Sequence, residues 1–182
     1  MTVETRINDR EALIERCIPF LEEVKEMTTG TAVEQWLNRT YGPGSELYEN
    51  LAHLVRKGVE DGWAANVEIE GRTYRRSRIA EPSGRTLHFS ITAVVMDSTG
   101  NGQGHPDGRF RGQYHGHPYG EFNMVVPLVP GAALNGPNGW CFGGWTAPAP
   151  GSHHHPEAKG GAVIALFFLP CGRISYLDAP QE

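Results

Sequence analysis

The chain has 182 residues and a formal net charge of −5, long enough for one domain with a hydrophobic core and too acidic and mixed in sign for a dedicated nucleic-acid binder. Its longest apolar run, Ala162 to Leu169, is too short to span a bilayer. The three cysteines (Cys17, Cys141, Cys171) form no C-x-x-C pair, and the polar N-terminus lacks a signal-peptide core; both point to a cytoplasmic protein without a disulfide framework.

Residues 1–62 read as a helical segment. Asn8 and Glu11 fit a capping box before Leu13, Cys17, Leu21 and Val24 at helical spacing, and Pro19 should kink that helix or move its start. Thr31 with Glu34 suggests a second capping box. After Gly42-Pro43-Gly44, Ser45 can cap a third helix with the stripe Leu47, Leu51, Leu54, Val55 and Val59, which Gly62 would end.

From residue 63 onward, periods of two replace periods of four. A hairpin over Asn66 to Ile69 and Arg72 to Ile79 comes first, followed by a β-branched strand from Thr86 to Met96. The basic run Arg72 to Arg78 reads either as a solvated strand face or as an anion-binding wall. A Gly-rich loop, Asp97 to Gly108, precedes strands at Phe110 to His117, Glu121 to Leu128, Trp140 to Trp145, Ala162 to Leu169 and Ile174 to Leu177. Many short strands joined by Gly and Pro turns predict a sandwich or barrel over residues 63–182. No long linker or repeat divides the chain, so residues 1–182 are expected to form one α+β domain.

Residues two apart on a strand share a face. His115 and His117 therefore aim at one place, and Glu121 returns to that face if Pro118 to Gly120 keep the register. His154, after the Pro150-Gly151 turn, can close the set from a neighbouring strand, whereas His153 and His155 face the other way. Neutral imidazoles with one carboxylate suit a divalent transition metal (Fe, Mn, Ni, Co or Zn) with open positions. Histidine also suits metal-free proton transfer, and the sequence leaves both readings open. No organic cofactor is expected. His88 shares its predicted strand face with Ser90 and Thr92; it either orients a ligand or lies on an exposed half-sheet.

The H-x-H pair with Glu121, then a Pro-Gly step with His154 three residues beyond the glycine, resembles the cupin superfamily of small jelly-roll barrels. Two departures are visible: the glycine usually found after the glutamate comes late, at Gly131, and the asparagine after the last histidine is missing. A narrower resemblance is carried by Thr86-Leu87-His88-Phe89-Ser90-Ile91, His117-Pro118-Tyr119-Gly120-Glu121-Phe122-Asn123-Met124-Val125-Val126-Pro127, Pro150-Gly151-Ser152-His153-His154 and Phe168-Leu169-Pro170-Cys171-Gly172-Arg173-Ile174. These stretches resemble the 4-hydroxylaminobenzoate lyase family, with the segment Gly100 to Gly112 looking unusual for it.

The resemblance implies a carbon–nitrogen lyase that converts 4-hydroxylaminobenzoate to 3,4-dihydroxybenzoate (protocatechuate) and ammonia in nitroaromatic breakdown. Glu121, His117 and His154 would be catalytic, with His115, His117, Glu121 and His154 as metal ligands. A small aromatic substrate would need walls, for which Phe89, Tyr114, Tyr119, Trp140 and Trp145 are candidates, although Trp140 and Trp145 also suit plain packing. Its carboxylate would need an arginine, with Arg78, Arg109 and Arg111 as candidates, although Arg109 and Arg111 also suit a solvated strand face. The alternatives are a metal-dependent cupin dioxygenase or isomerase and a non-catalytic ligand-binding cupin. Cupin-like barrels often dimerise through sheet edges, because pairing hides an open edge, so the resemblance also implies a homodimer.

Overall fold

In the computed structural model, which describes residues 2–99, 108–178 and 180, three helices precede thirteen strands. The helices are α1 (Val3–Val24), α2 (Thr31–Tyr41) and α3 (Glu46–Glu60). The strands are β1 (Val67–Glu68), β2 (Tyr74–Ala80), β3 (Phe89–Asp97), β4 (Arg109–Arg111), β5 (His115–His117), β6 (Phe122–Pro127), β7 (Ala133–Gly136), β8 (Gly139–Cys141), β9 (Gly144–Thr146), β10 (Ser152–His154), β11 (Glu157–Lys159), β12 (Ala162–Pro170) and β13 (Ser175–Tyr176).

A six-stranded antiparallel sheet, β1-β2-β3-β12-β6-β9, forms the middle layer. Strands β3 and β12 are buried along nearly their whole length, and the alternation of their side chains shows why. Ile91, Ala93, Val95, Ile164, Leu166 and Phe168 face a core shared with Leu13, Leu21, Leu51 and Val55 of the helices. Val94, Met96, Val163, Ala165 and Phe167 face a second core with Phe110, Leu134 and Ala158 of the smaller sheets. Those sheets are β4-β11-β7-β8 and β10-β5-β13. The result is an α+β layering of helices, large sheet and small sheets, in keeping with a cupin-like jelly roll whose sheets stay open.

Several elements depart from the expectation. The predicted strand from Phe110 to His117 breaks at Gly112 to Tyr114 and feeds two different sheets, as β4 and β5. Trp140 to Trp145 likewise splits into β8 and β9. His88 is not on a strand at all: it lies in the turn before β3 with φ 65°, and its carbonyl accepts the Cys171 amide. Pro19 sits inside one continuous α1. Ser45 caps α3 by accepting from the Tyr48 amide, as its position suggested. Thr31 does not cap α2; Gly30 holds that position, and Glu34 accepts the Ala147 amide instead. Residues 100–107 of the unusual segment lie outside the described residues.

Candidate functional site

Strands β5 and β10 pair antiparallel, with His115 opposite His154 and His117 opposite Ser152. This register puts the three imidazoles on one face, and Gly116 lets the opposite face approach His153 closely. The Nε2 of His154 lies 3.1 Å from the Nε2 of His115 and 3.1 Å from the Nε2 of His117. His115 Nδ1 donates to the Gln113 carbonyl at 2.9 Å, which leaves its Nε2 as a lone pair aimed inward. Burial holds His115 below its usual pKa and pushes His117 down to about 3 and His154 down to about 4, so all three rings are neutral at pH 7.

With its Nδ1–H committed to Gln113, His115 presents a lone pair toward His154 Nε2, and the three rings together offer a nitrogen donor set to a cation. Ligands held at the usual metal–nitrogen distance of ~2.0–2.1 Å stand about 2.9–3.4 Å apart at octahedral to tetrahedral angles. The two contacts of His154, both 3.1 Å, fall in that interval, and the three ligand atoms lie within 4.8 Å of one another. The donor set therefore fits a divalent transition metal on His115, His117 and His154.

Glu121 was expected among the ligands, but the structure gives it a different position. Its Oε2 approaches His117 Nδ1, the ring nitrogen on the other side from Nε2, at 3.5 Å, within ion-pair range and longer than a hydrogen bond. It stands behind His117, where a carboxyl orients a ligating ring. Complete burial raises its pKa to about 8, so it carries a proton at neutral pH.

Glu121, His115 and His154 line a recess with about 480 Å³ of empty space, open solvent at its mouth included. Val94, Met96, Leu134, Ala165, Phe167 and Ile174 form its apolar walls; Tyr74, Arg76, Asn123 and Tyr176 add polar groups. The strand alternation selects these residues. Tyr74, Arg76 and Arg78 point from β2 to the cavity side, as Thr92 and Val94 do from β3 and Asn123 does from β6. Asn123 donates to Thr146 Oγ1 at 3.2 Å, while its Oδ1 is buried without a partner.

The other expected substrate contacts do not reach this cavity. Phe89 belongs to the helix-side core against Phe122, and Trp145 packs there on Phe20 and Phe168. Tyr114 packs against His153 and His155, and Tyr119 is exposed. Trp140 sits under Arg109 and Lys159. Arg109 and Arg111 flank inward-facing Phe110 on β4, so they must point outward, where both pair with Glu157. Arg78 lines an adjoining recess and pairs with Glu81 at 2.8 Å. Arg76, Tyr74, Tyr176 and Asn123 were missed. Their signal was parity: Arg76 shares a face with Arg78, and Asn123 shares one with Glu121.

The pattern of the 4-hydroxylaminobenzoate lyase family matches residues 15–176. A 4-hydroxylaminobenzoate lyase of Nocardioides sp. (strain LMS-CY) is 63% identical over 171 residues, covering 93% of this chain and 96% of that protein. One from Pseudomonas putida is 58% identical over 170 residues, covering 93% and 97%. Among solved structures, an RmlC-like cupin protein from Ralstonia eutropha aligns with TM-score 0.43 at 14% identity, covering 60% of this chain and 63% of that one. A DMSP lyase structure aligns with the same TM-score and identity, covering 95% and 100%. With the family pattern spanning most of its length and two close relatives matching nearly end to end, the chain belongs to the 4-hydroxylaminobenzoate lyase family.

Proposed function

We propose that this protein is an ammonia-releasing carbon–nitrogen lyase that converts 4-hydroxylaminobenzoate and one water to 3,4-dihydroxybenzoate and ammonia. The 63% identity to a lyase of that name supports the substrate. The observation that carries the chemistry is a buried, protonated carboxyl, Glu121, in the same cavity as the histidine cluster.

The hydroxylamine oxygen leaves poorly until it is protonated. Glu121 holds a proton at neutral pH and faces the cavity, so it can deliver that proton as the N–O bond breaks and water departs. The electron-poor ring then takes a water at the ring carbon adjacent to the one that bears the nitrogen, and that water gives up a proton. A second water adds at the imine carbon, ammonia leaves, and loss of the ring proton restores aromaticity. Two waters enter and one leaves, which balances the overall reaction. His115, His117 and His154 would hold a divalent metal, which when bound supplies a Lewis acid that lowers the pKa of a water. The apolar walls keep bulk water off the activated ring. No helix among the described residues is long and apolar enough to cross a membrane, and a cytoplasmic setting suits a small aromatic substrate. A homodimer belongs to the same proposal: Val67 is 59% exposed on the edge strand β1, where a second sheet could pair.

Ammonia release from 4-hydroxylaminobenzoate, measured with total metal on one preparation before and after chelation, tests this reading. Release above the uncatalysed rate is expected, together with about one transition metal per chain and loss of activity on chelation. No release above that rate from metal-loaded protein would end the lyase reading. Full activity without metal would leave the histidines as an acid–base set.

A further inference from the structure

Two spaces lie side by side: Glu121, His115 and His154 line one, and Arg78, Thr92 and Leu169 line the other, the adjoining recess. Arg76, Phe167, Ile174 and Tyr176 line both, so the two spaces adjoin across these four side chains.

Arg76 differs from the arginines around it. Arg78 pairs with Glu81, Arg85 with Glu11, and Arg109 and Arg111 with Glu157. Among the described residues Arg76 has no carboxylate partner. Its guanidinium lies 5.3 Å from the Tyr176 ring centroid and donates to the Tyr176 hydroxyl. A second group in the recess also lacks a partner. Thr92, 4% exposed, has its Oγ1 buried without a hydrogen bond. A guanidinium without an anion and a buried hydroxyl without a partner, in one recess, are unmet demands of the kind a carboxylate satisfies.

We propose that Arg76, with Thr92 and Tyr176, forms the subsite that takes the substrate's ring carboxylate. The aryl ring then lies between Val94, Met96, Ala165 and Phe167, and the para substituent points to Glu121 and the histidines. The inference deepens the lyase reading and rests on it for the identity of the ring. It makes the enzyme selective for aryl hydroxylamines with a para anion. Bidentate pairing to a planar carboxylate favours arginine over lysine here.

The test is direct binding to the metal-loaded protein, which needs no turnover. 4-Hydroxybenzoate and its neutral isostere 4-hydroxybenzamide are titrated calorimetrically into wild type, Arg76→Gln, Arg76→Lys and Arg75→Gln. Arg75 lies on the opposite face of β2, where its Nε donates to the Arg72 carbonyl. Wild type is expected to prefer the carboxylate by about 10- to 100-fold, the range for a charge-assisted hydrogen bond. Arg76→Gln should abolish the preference without weakening the benzamide, Arg76→Lys should keep part of it, and Arg75→Gln should keep all of it. Equal affinities in wild type, or an undiminished preference in Arg76→Gln, would overturn the subsite. Ammonia assays with 4-hydroxylaminobenzoate and phenylhydroxylamine, run alongside, separate the outcomes. Carboxylate preference without ammonia sinks the lyase reading and keeps the subsite; ammonia without preference does the reverse.

Discussion

Glu121 and His154 have different jobs, and single substitutions should separate them. His154 supplies one of three convergent Nε2 atoms, whereas Glu121 stands behind His117 and faces the cavity. Glu121→Gln keeps the shape and removes the ionisable proton; turnover should fall at least about a hundredfold, in line with general acid–base contributions, with metal content unchanged. His154→Ala should lose metal and activity together. His155→Ala should lose neither, since that ring turns away to the Gly112 carbonyl. Steady-state kinetics and metal analysis on the three proteins check this, and loss of metal in Glu121→Gln would return that residue to the ligand set. The histidines were legible because a two-residue spacing on a strand needs no knowledge of the fold. The arginine was not, because Arg76 and Arg78 share a face and only the pairing of Arg78 with Glu81 separates them.

At the scale of elements, the turn between β5 and β6 sets the register that brings Glu121 back to His117. Gly120 makes this possible with φ 79°, and a Cβ there would stand 1.9 Å from Thr29 Oγ1 and 3.0 Å from the Pro148 carbonyl. Thr29 itself donates to Pro148 at 2.7 Å, tying the α1–α2 loop to the same turn. Gly120→Ala therefore meets both a backbone penalty and a clash with a buried hydrogen bond. It should destabilise the fold by more than ~1 kcal/mol, a drop of several degrees in Tm at this chain length, and it should cost activity by moving Glu121. Calorimetry with kinetics checks it; an unchanged Tm would mean that the turn is not held against the loop. Short elements were the ones the sequence concealed. Strand β10 shows in the sequence only as the strand that would carry His154, without bounds, because it spans three residues; β7, with four, and β11, with three, leave no signal either. Periodicity needs more residues than that to register. The long strands were legible, β3 by its β-branched residues and β12 as an apolar run, and burial on both faces explains why β12 does not alternate in polarity.

For the whole molecule, layering explains both the fold and its dependence on pH. The switch from helical to strand periodicity near Trp63 falls between α3 and β1, yet it could not say that the helices would cover one face of the large sheet and leave the other to the small sheets and the cavity. That enclosure desolvates His115, His117 and His154 together with Glu121, and the two kinds of group act on stability with opposite signs. The imidazoles have native pKa values below the usual 6.5, so the unfolded chain takes up protons that the native one refuses, and stability falls as pH drops below about 6.5. Glu121 has a native pKa raised from 4.5 to about 8, so the native chain keeps a proton that the unfolded one releases. Its contribution is complete below 4.5 and lost as pH rises toward 8. Between 4.5 and 6.5 His117 and His154, with His115 acting in the same direction, outweigh one carboxyl; above 6.5 the carboxyl acts alone. The metal-stripped protein should thus have its highest Tm near pH 6.5, with a steep fall on the acid side and a shallower one toward pH 8. Metal-loaded protein should lose its metal on that acid limb, because protons and metal compete for the same nitrogens. Thermal melts of stripped and loaded protein from pH 5 to 8.5 measure both effects. A Tm that climbs steadily through pH 8 in the stripped protein would show that Glu121 is already ionised in the folded chain, and would remove it as the proton donor for N–O cleavage.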